Sequence, residues 1–305
     1  ATSYSNTVKQ IIPFYIFYSM FGFQRVGDLI WAAGDMQARG FLIGATSGRT
    51  TLNGEGLQHE DGHSQIMAGN LPNCVSYDPT FSYELMVILQ DGMQRMFDKQ
   101  ENVLYYITTM NENYTHPGLG KGQEKNIVKG MYLFQKGKKG ETRVQLLGSG
   151  SILRESIAAA ELLAKDFKVQ ADIWSCPSFK ELKRDGDEVS RWNSLHPDQK
   201  ARQCHVTQCL ENTAGPVVAA TDYVKLFADQ IRAYVPRSYT VLGTDGFGRS
   251  DSREALRKHF EVDRYYITIA ALNALVGEGG ISVKTVKAAI KKYGIDTEKN
   301  NPLLA

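Results

Sequence analysis

The sequence predicts an α/β protein built of two consecutive doubly wound domains with mainly parallel sheets. Three observations predict it. Apolar runs rich in β-branched and aromatic residues alternate with stretches of helical spacing, the pattern of parallel strands joined by helices. That alternation breaks over residues 111–130 and then restarts, which divides the chain into residues 1–120 and 121–305. The 305 residues are long for one compact domain and comfortable for two.

In chain order, IIPFYIFYS (11–19) reads as a buried strand with Pro13 near its start, and FGFQRVGDLIWAAGDM (21–36) as the helix after it. FLIGATS (41–47) and NCVSYDP (73–79) are the next strands. FSYELMVILQDGMQRMF (81–97) is a helix introduced by Asp78-Pro79-Thr80, and NVLYYITTM (102–110) is a fourth strand. Residues 111–130, with Pro117 and several glycines, read as an interdomain linker or long surface connection. Beyond it, RVQLLG (143–148), ADIWSCP (171–177), PVVAATDY (216–223) and YTVLGTDG (239–246) are strands. An Ala-rich helix follows GSGSILRES, a helical stretch begins at SFKELKRDG, KLFADQIRAYV forms another helix, and the chain from Ser252 on is helical and polar-faced.

Composition narrows the function classes. With 42% hydrophobic and 22% charged residues the chain can bury a sizeable core. Its net charge of +2, 35 basic against 33 acidic residues, offers no basic field for nucleic acid. No apolar tract approaches the roughly 18 residues that a membrane span requires. The start, ATSYSNTVKQ, lacks the regions of a signal peptide and an initiator methionine, which suggests a chain beginning inside a larger protein. Cys74 and Cys176 stand in strand contexts as small hydrophobes, and Cys204 and Cys209 lack a second pair to complete a metal site. This cysteine usage suits a reducing cytoplasm.

Residues 56–64, GLQHEDGHS, contain the spacing of the zinc-protease motif H-E-x-x-H in His59-Glu60-Asp61-Gly62-His63. A zinc peptidase needs both histidines on one continuous helix. Gly62 falls inside that would-be helix, at a cost of roughly 1 kcal/mol relative to Ala, and no apolar stripe or third ligand accompanies the motif. The segment instead extends a loop, ATSGRTTLNGEGLQHEDGHSQ, that follows a strand and carries Arg49, Asn53, Glu55, His59, Glu60, Asp61 and His63. Open α/β sheets bind ligands at the carboxyl ends of their strands, so the loop reads as a ligand site. GSGSILRES is a strand-to-helix turn with an N-cap serine, and TDGFGRSDSRE is a capped helix start. Phe14, Tyr15, Phe17, Tyr18, Phe21 and Phe23 read mostly as core, with alternation directing some rings towards the site.

IPFYIFYSMFGFQRVGDLIWAAGD, GFLIGATSGRTTLNGEGLQHEDGHS, VQLLGSGSIL and VLGTDGFGRSDSRE together resemble the homodimeric bacterial pyruvate dehydrogenase family, the thiamin diphosphate-dependent, decarboxylating first component of the pyruvate dehydrogenase complex. The resemblance runs from Ala1 to Ala305 but covers only the C-terminal part of the family's chain. It implies a transketolase-like pyrimidine-binding (middle) domain over residues 1–120, lacking its N-terminal start, and a transketolase C-terminal domain over 121–305. It also implies residue roles. Tyr18 and Phe21 line the aminopyrimidine pocket, with Arg25 supporting it. His59 is the active-site histidine on the substrate side, Glu55 supports it, and Asp61 stands near the donor substrate. Transketolases carry a histidine near the position of Gln65, which leaves donor recognition there open, and His63 has no assigned role.

The implied reaction adds pyruvate to the cofactor, releases carbon dioxide and passes the two-carbon unit to the lipoyl group of the acetyltransferase component. A histidine can donate or accept protons in such steps near neutral pH. The family's Gly-Asp-Gly motif for the magnesium ion and the diphosphate does not occur here, since RDGDE and TDGFG do not match it. The glutamate that activates the pyrimidine would precede Ala1. The expectation is therefore that this chain alone binds thiamin diphosphate poorly and is inactive without a complementary N-terminal half or its homodimer. The alternatives are a non-catalytic assembly or dimerisation module and, more remotely, a zinc metallopeptidase.

Overall fold

Two mainly parallel sheets face each other through the loops at the carboxyl ends of their strands. The computed structural model describes residues 7–305; residues 1–6, with which the first predicted domain begins, lie outside the described residues. The first sheet contains β1 (Phe14–Tyr18), β2 (Gly40–Ala45), β3 (Cys74–Tyr77) and β4 (Leu104–Thr109). Their spatial order is β1-β2-β4-β3, and every pair is parallel. Helices α1 (Ser19–Asp35), α2 (Ser64–Gly69) and α3 (Ser82–Met93) connect the strands, α3 continuing into a π-helical turn over Gln94–Asp98. Alternation along β4 divides the core: Tyr105 and Ile107 pack with Phe41, Tyr77 and Ile88, while Leu104 and Tyr106 pack with Phe23, Ile30 and Leu71.

The second sheet contains β5 (Tyr132–Gln135), β6 (Arg143–Gly148), β7 (Gln170–Ser175), β8 (Val217–Ala220) and β9 (Tyr239–Leu242). The order is β5-β7-β6-β8-β9, parallel throughout except that β5 runs antiparallel to β7. Helix α4 (Glu124–Val128) precedes it. Helices α5 (Leu153–Phe167), α6 (Phe179–Leu195), α7 (His205–Leu210), α8 (Leu226–Asp229), α9 (Arg253–His259), α10 (Arg264–Gly277) and α11 (Val283–Tyr293) complete the chain. Val144 and Leu146 face α5 and α10; Leu147, Val217 and Ala219 face Phe179 and Phe227. No helix among the described residues is long and apolar enough to cross a membrane.

Several expectations change. Strand β1 is shorter than residues 11–19 and passes into α1 with no loop, Tyr18 being the extended N-cap. Residues 111–130 contain α4, and β5 and α7 are additional elements. Glu112 pairs with Arg154 at 2.7 Å and with Arg257, so this connection is strapped down rather than loose. Residues 225–235 divide into α8 and a 3-10 turn over Arg232–Tyr234. Neither serine of GSGS caps α5; Ser149 Oγ turns inward to Asp78 Oδ2 at 2.9 Å. Ser252 does cap α9, accepting from the Ala255 N–H. The segment beyond Ser252 is not polar-faced throughout, because α10 buries Ile267, Ile269, Leu272 and Leu275.

Candidate functional site

The direct passage from β1 into α1 sets two rings side by side. Tyr18 ends the strand and Phe21 lies in the first turn of the helix, their centroids 6.1 Å apart and edge to face. One turn further on, the Arg25 guanidinium lies 3.9 Å from the centroid of Phe21. The loop after β2 closes through a 3-10 turn, Leu57–His59, and delivers the His59 ring to this pair. It stands 5.4 Å from Tyr18 and 5.0 Å, edge-on, from Phe21. Glu55 completes the group, its Oε2 3.4 Å from His59 Nδ1. Five residues that the sequence nominated as a site are therefore brought together, with Tyr18 58% exposed so that one side of the cluster is open.

The remaining nominated residues make contacts of their own. Asp61 is fully buried. Its Oδ1 accepts from the backbone N–H of His63 (3.1 Å) and Ser64 (2.9 Å), and its Oδ2 accepts from the Ser64 hydroxyl. It thus anchors the start of α2. His63 turns to the side chain of Gln24 on α1. Gln65 is buried, donating to the Tyr77 carbonyl and to Thr108 Oγ1, both at 3.0 Å. The two histidines of the H-E-x-x-H spacing belong to separate elements, a 3-10 turn and the residue before α2, and their rings make different contacts. Among the described residues, no group of three or more His, Cys, Asp or Glu side chains is arranged to hold a metal ion.

Sequence reading assigned no role to the buried acids between the domains. Asp78, following β3, accepts from Thr108 (2.8 Å) and Ser149 (2.9 Å), and burial pushes its pKa up to about 7 despite those bonds. Asp222, following β8, accepts from the backbone and hydroxyl of Thr50 and the hydroxyl of Thr51. Burial raises its pKa as well. Glu60 is fully buried with both carboxylate oxygens unpartnered; burial and the neighbouring charge of Asp222 push its pKa up to about 8, against Arg49. The signal that could have found Asp78 and Asp222 is their place just after strand ends, where two facing sheets must meet.

Tyr18 and Phe21 offer ring faces and edges next to a histidine, an arrangement suited to stacking on a flat heterocycle.

Known proteins resemble the chain over both of its domains. Residues 1–117 match the pyruvate dehydrogenase E1 component middle domain, and residues 130–263 match the transketolase-like C-terminal domain. The chain is 62% identical over 305 residues to the pyruvate dehydrogenase E1 component of Cupriavidus necator, covering 99% of this chain and 34% of that protein. It is 59% identical over 307 residues to the Escherichia coli protein of the same name, again with 34% of the relative covered. It therefore spans about a third of the length of these relatives. Among solved structures, transketolase from Pichia stipitis superposes with a TM-score of 0.65 at 14% identity, over 88% of this chain and 34% of that one. A split-gene transketolase superposes with a TM-score of 0.60 at 15% identity, over 90% and 79%. Both support the fold. Along nearly its whole length, the chain belongs to the pyruvate dehydrogenase E1 component family, carrying the middle domain and the transketolase-like C-terminal domain of that family.

Proposed function

We propose that this chain forms the pyrimidine-side and substrate-side wall of a thiamin diphosphate-dependent pyruvate dehydrogenase that acetylates the lipoyl group of an acetyltransferase component. The observation that carries this reading is the placement of His59, held between Tyr18, Phe21 and Glu55 at the open end of β1. The bound cofactor would supply the nucleophilic carbon and the electron sink for decarboxylation. Tyr18 and Phe21 would hold its ring, with Arg25 fixing Phe21 from behind. His59 would face the substrate and move a proton at a ring nitrogen, with the Glu55 carboxylate 3.4 Å from Nδ1. Asp61 acts from behind, because its oxygens are already engaged in anchoring α2. Four free cysteines fit a cytoplasmic enzyme.

A second reading, an assembly or dimerisation module, is favoured by one specific surface. Strand β1 lies at a sheet edge with Phe14, Tyr15, Ile16 and Tyr18 all more than half exposed, unusual for a parallel sheet, whose faces are normally covered. In the enzyme reading, that edge receives the remainder of the polypeptide or a dimer partner. One experiment separates the two. The chain is mixed with a polypeptide supplying the rest of the family sequence, and pyruvate-dependent lipoyl acetylation is measured with thiamin diphosphate and magnesium. Restored turnover supports the enzyme reading; stable association without turnover favours the module. By calorimetry, the chain alone should show no tight magnesium-dependent binding of the cofactor.

A further inference from the structure

The turn that follows β2 is clasped to the second domain by bonds that the proposed chemistry does not use. Gly48, at φ +94°, lies so close to Asp222 that a Cβ would stand 2.2 Å from its Oδ2. Thr50 donates to Asp222 Oδ1 from its backbone N–H (2.9 Å) and hydroxyl (2.6 Å), and Thr51 donates to Oδ2 (2.6 Å). Between these contacts, Arg49 is carried inward to 4% exposure. Its Nη1 donates to the carbonyls of Thr244 (2.7 Å) and Gly246, while Nε points to the carbonyl of Glu60 at 3.4 Å. The guanidinium also fills the space beside Gly62, where a Cβ would stand 2.4 Å from Cζ.

One planar group therefore touches the turn after β9 and the backbone on the carboxyl side of His59. Burial lowers the pKa of Arg49, and the surrounding Asp61, Asp222, Asp245 and Glu60 oppose that effect. A lysine would keep the charge but has neither the fork nor the flat shape that this slot demands.

We infer that Arg49 is a positioning residue for His59: its guanidinium sets the Glu60 carbonyl against the 244–246 turn and thereby fixes the His59 ring on Tyr18 and Phe21. The inference rests on the proposed role of His59, but the placement can be measured without turnover. In this chain, labelled at histidine, R49K should shift the His59 imidazole resonances, because their ring-current surroundings change, and leave those of His116 and His205 in place. An unmoved His59 signal in folded R49K would overturn the inference. G62A, whose added Cβ must displace the guanidinium, should move the same signal, and it decides the question if R49K fails to fold.

In the full-length enzyme, a small misplacement of this kind should lower kcat on the order of 10–100-fold with little change in the KM for pyruvate. The loss from R49K should vanish in an H59A background, since both changes then act on one step. Equal losses in the two backgrounds would make Arg49 a structural brace and no more. A wild-type enzyme without pyruvate turnover would remove the proposed function while leaving the histidine measurement to judge the placement.

Discussion

His59 owes its position to neighbours from two elements: rings from the β1–α1 junction and a carboxylate from its own loop. Replacing it by alanine in the full-length enzyme should lower the rate of pyruvate decarboxylation or acetyl transfer by about 10²–10⁴-fold, the range for a lost acid–base group. The circular dichroism spectrum should remain that of the wild type, and unchanged steady-state rates would take His59 out of the mechanism. Glu60, the next residue, makes a different prediction. Its ordinary value of 4.5 is raised to about 8, so the folded chain binds this proton more tightly than the unfolded chain does. The associated stability is present in full below about pH 4.5 and is lost as the pH rises through about 8. E60Q cannot ionise, so its melting temperature should fall less than that of the wild type between pH 7 and pH 9. Parallel declines would mean that Glu60 does not titrate there. At this scale motif and resemblance named His59, Tyr18 and Phe21, which the structure brings together. The roles of Glu60 and Asp222 were not, because burial is a property of what packs around a residue.

Element boundaries were legible where the pattern was long. Helix α3 shows why: its start is set by Glu84 in the first turn, whose carboxylate accepts from the backbone N–H of Thr80 (2.5 Å) and Phe81 (3.0 Å). The same carboxylate accepts from Ser175 on β7 and Tyr132 on β5, both at 2.6 Å, so one residue ends a loop and ties the two sheets together. E84A would leave several buried donors unpaired and should cost about 3 kcal/mol or more. Urea unfolding tests this: the midpoint should drop with an unchanged m-value, and a loss within ±0.5 kcal/mol would contradict the account. Helix α7 escaped notice because six residues are too few for a helical period to register; β5, as short as the β3, β8 and β9 that were read, lacks the β-branched residues that mark them as strands. Long α1 was anticipated, whereas its non-helical residue, Val26 at φ −129°, was not.

On the scale of the whole molecule, the two sheets are joined by a buried polar seam rather than by a flexible tether. Lys180 donates to carbonyls in the first domain, including Ala68 at 2.9 Å; Ser178 Oγ donates to the Ser76 carbonyl at 2.6 Å; and the Asp78 N–H donates to the Pro177 carbonyl at 2.7 Å. Opening such a seam would expose several buried donors and acceptors at once, so the domains should melt together. Calorimetry of this chain should give a single transition; two separated transitions would show that the seam does not couple the domains.

The amino-acid sequence by itself determined the alternation of strands and helices and the cluster of function-prone side chains after β2. These depend on local periodicity and on residue type, which need no partner to be read. Only the tertiary structure decided that Asp61 and Gln65 serve the scaffold, that Glu60 is buried unpaired and that Arg49 spans the domains. The physical reason is that desolvation and hydrogen-bond partnership arise between residues as far apart as 49 and 244, where no pattern along the chain records them.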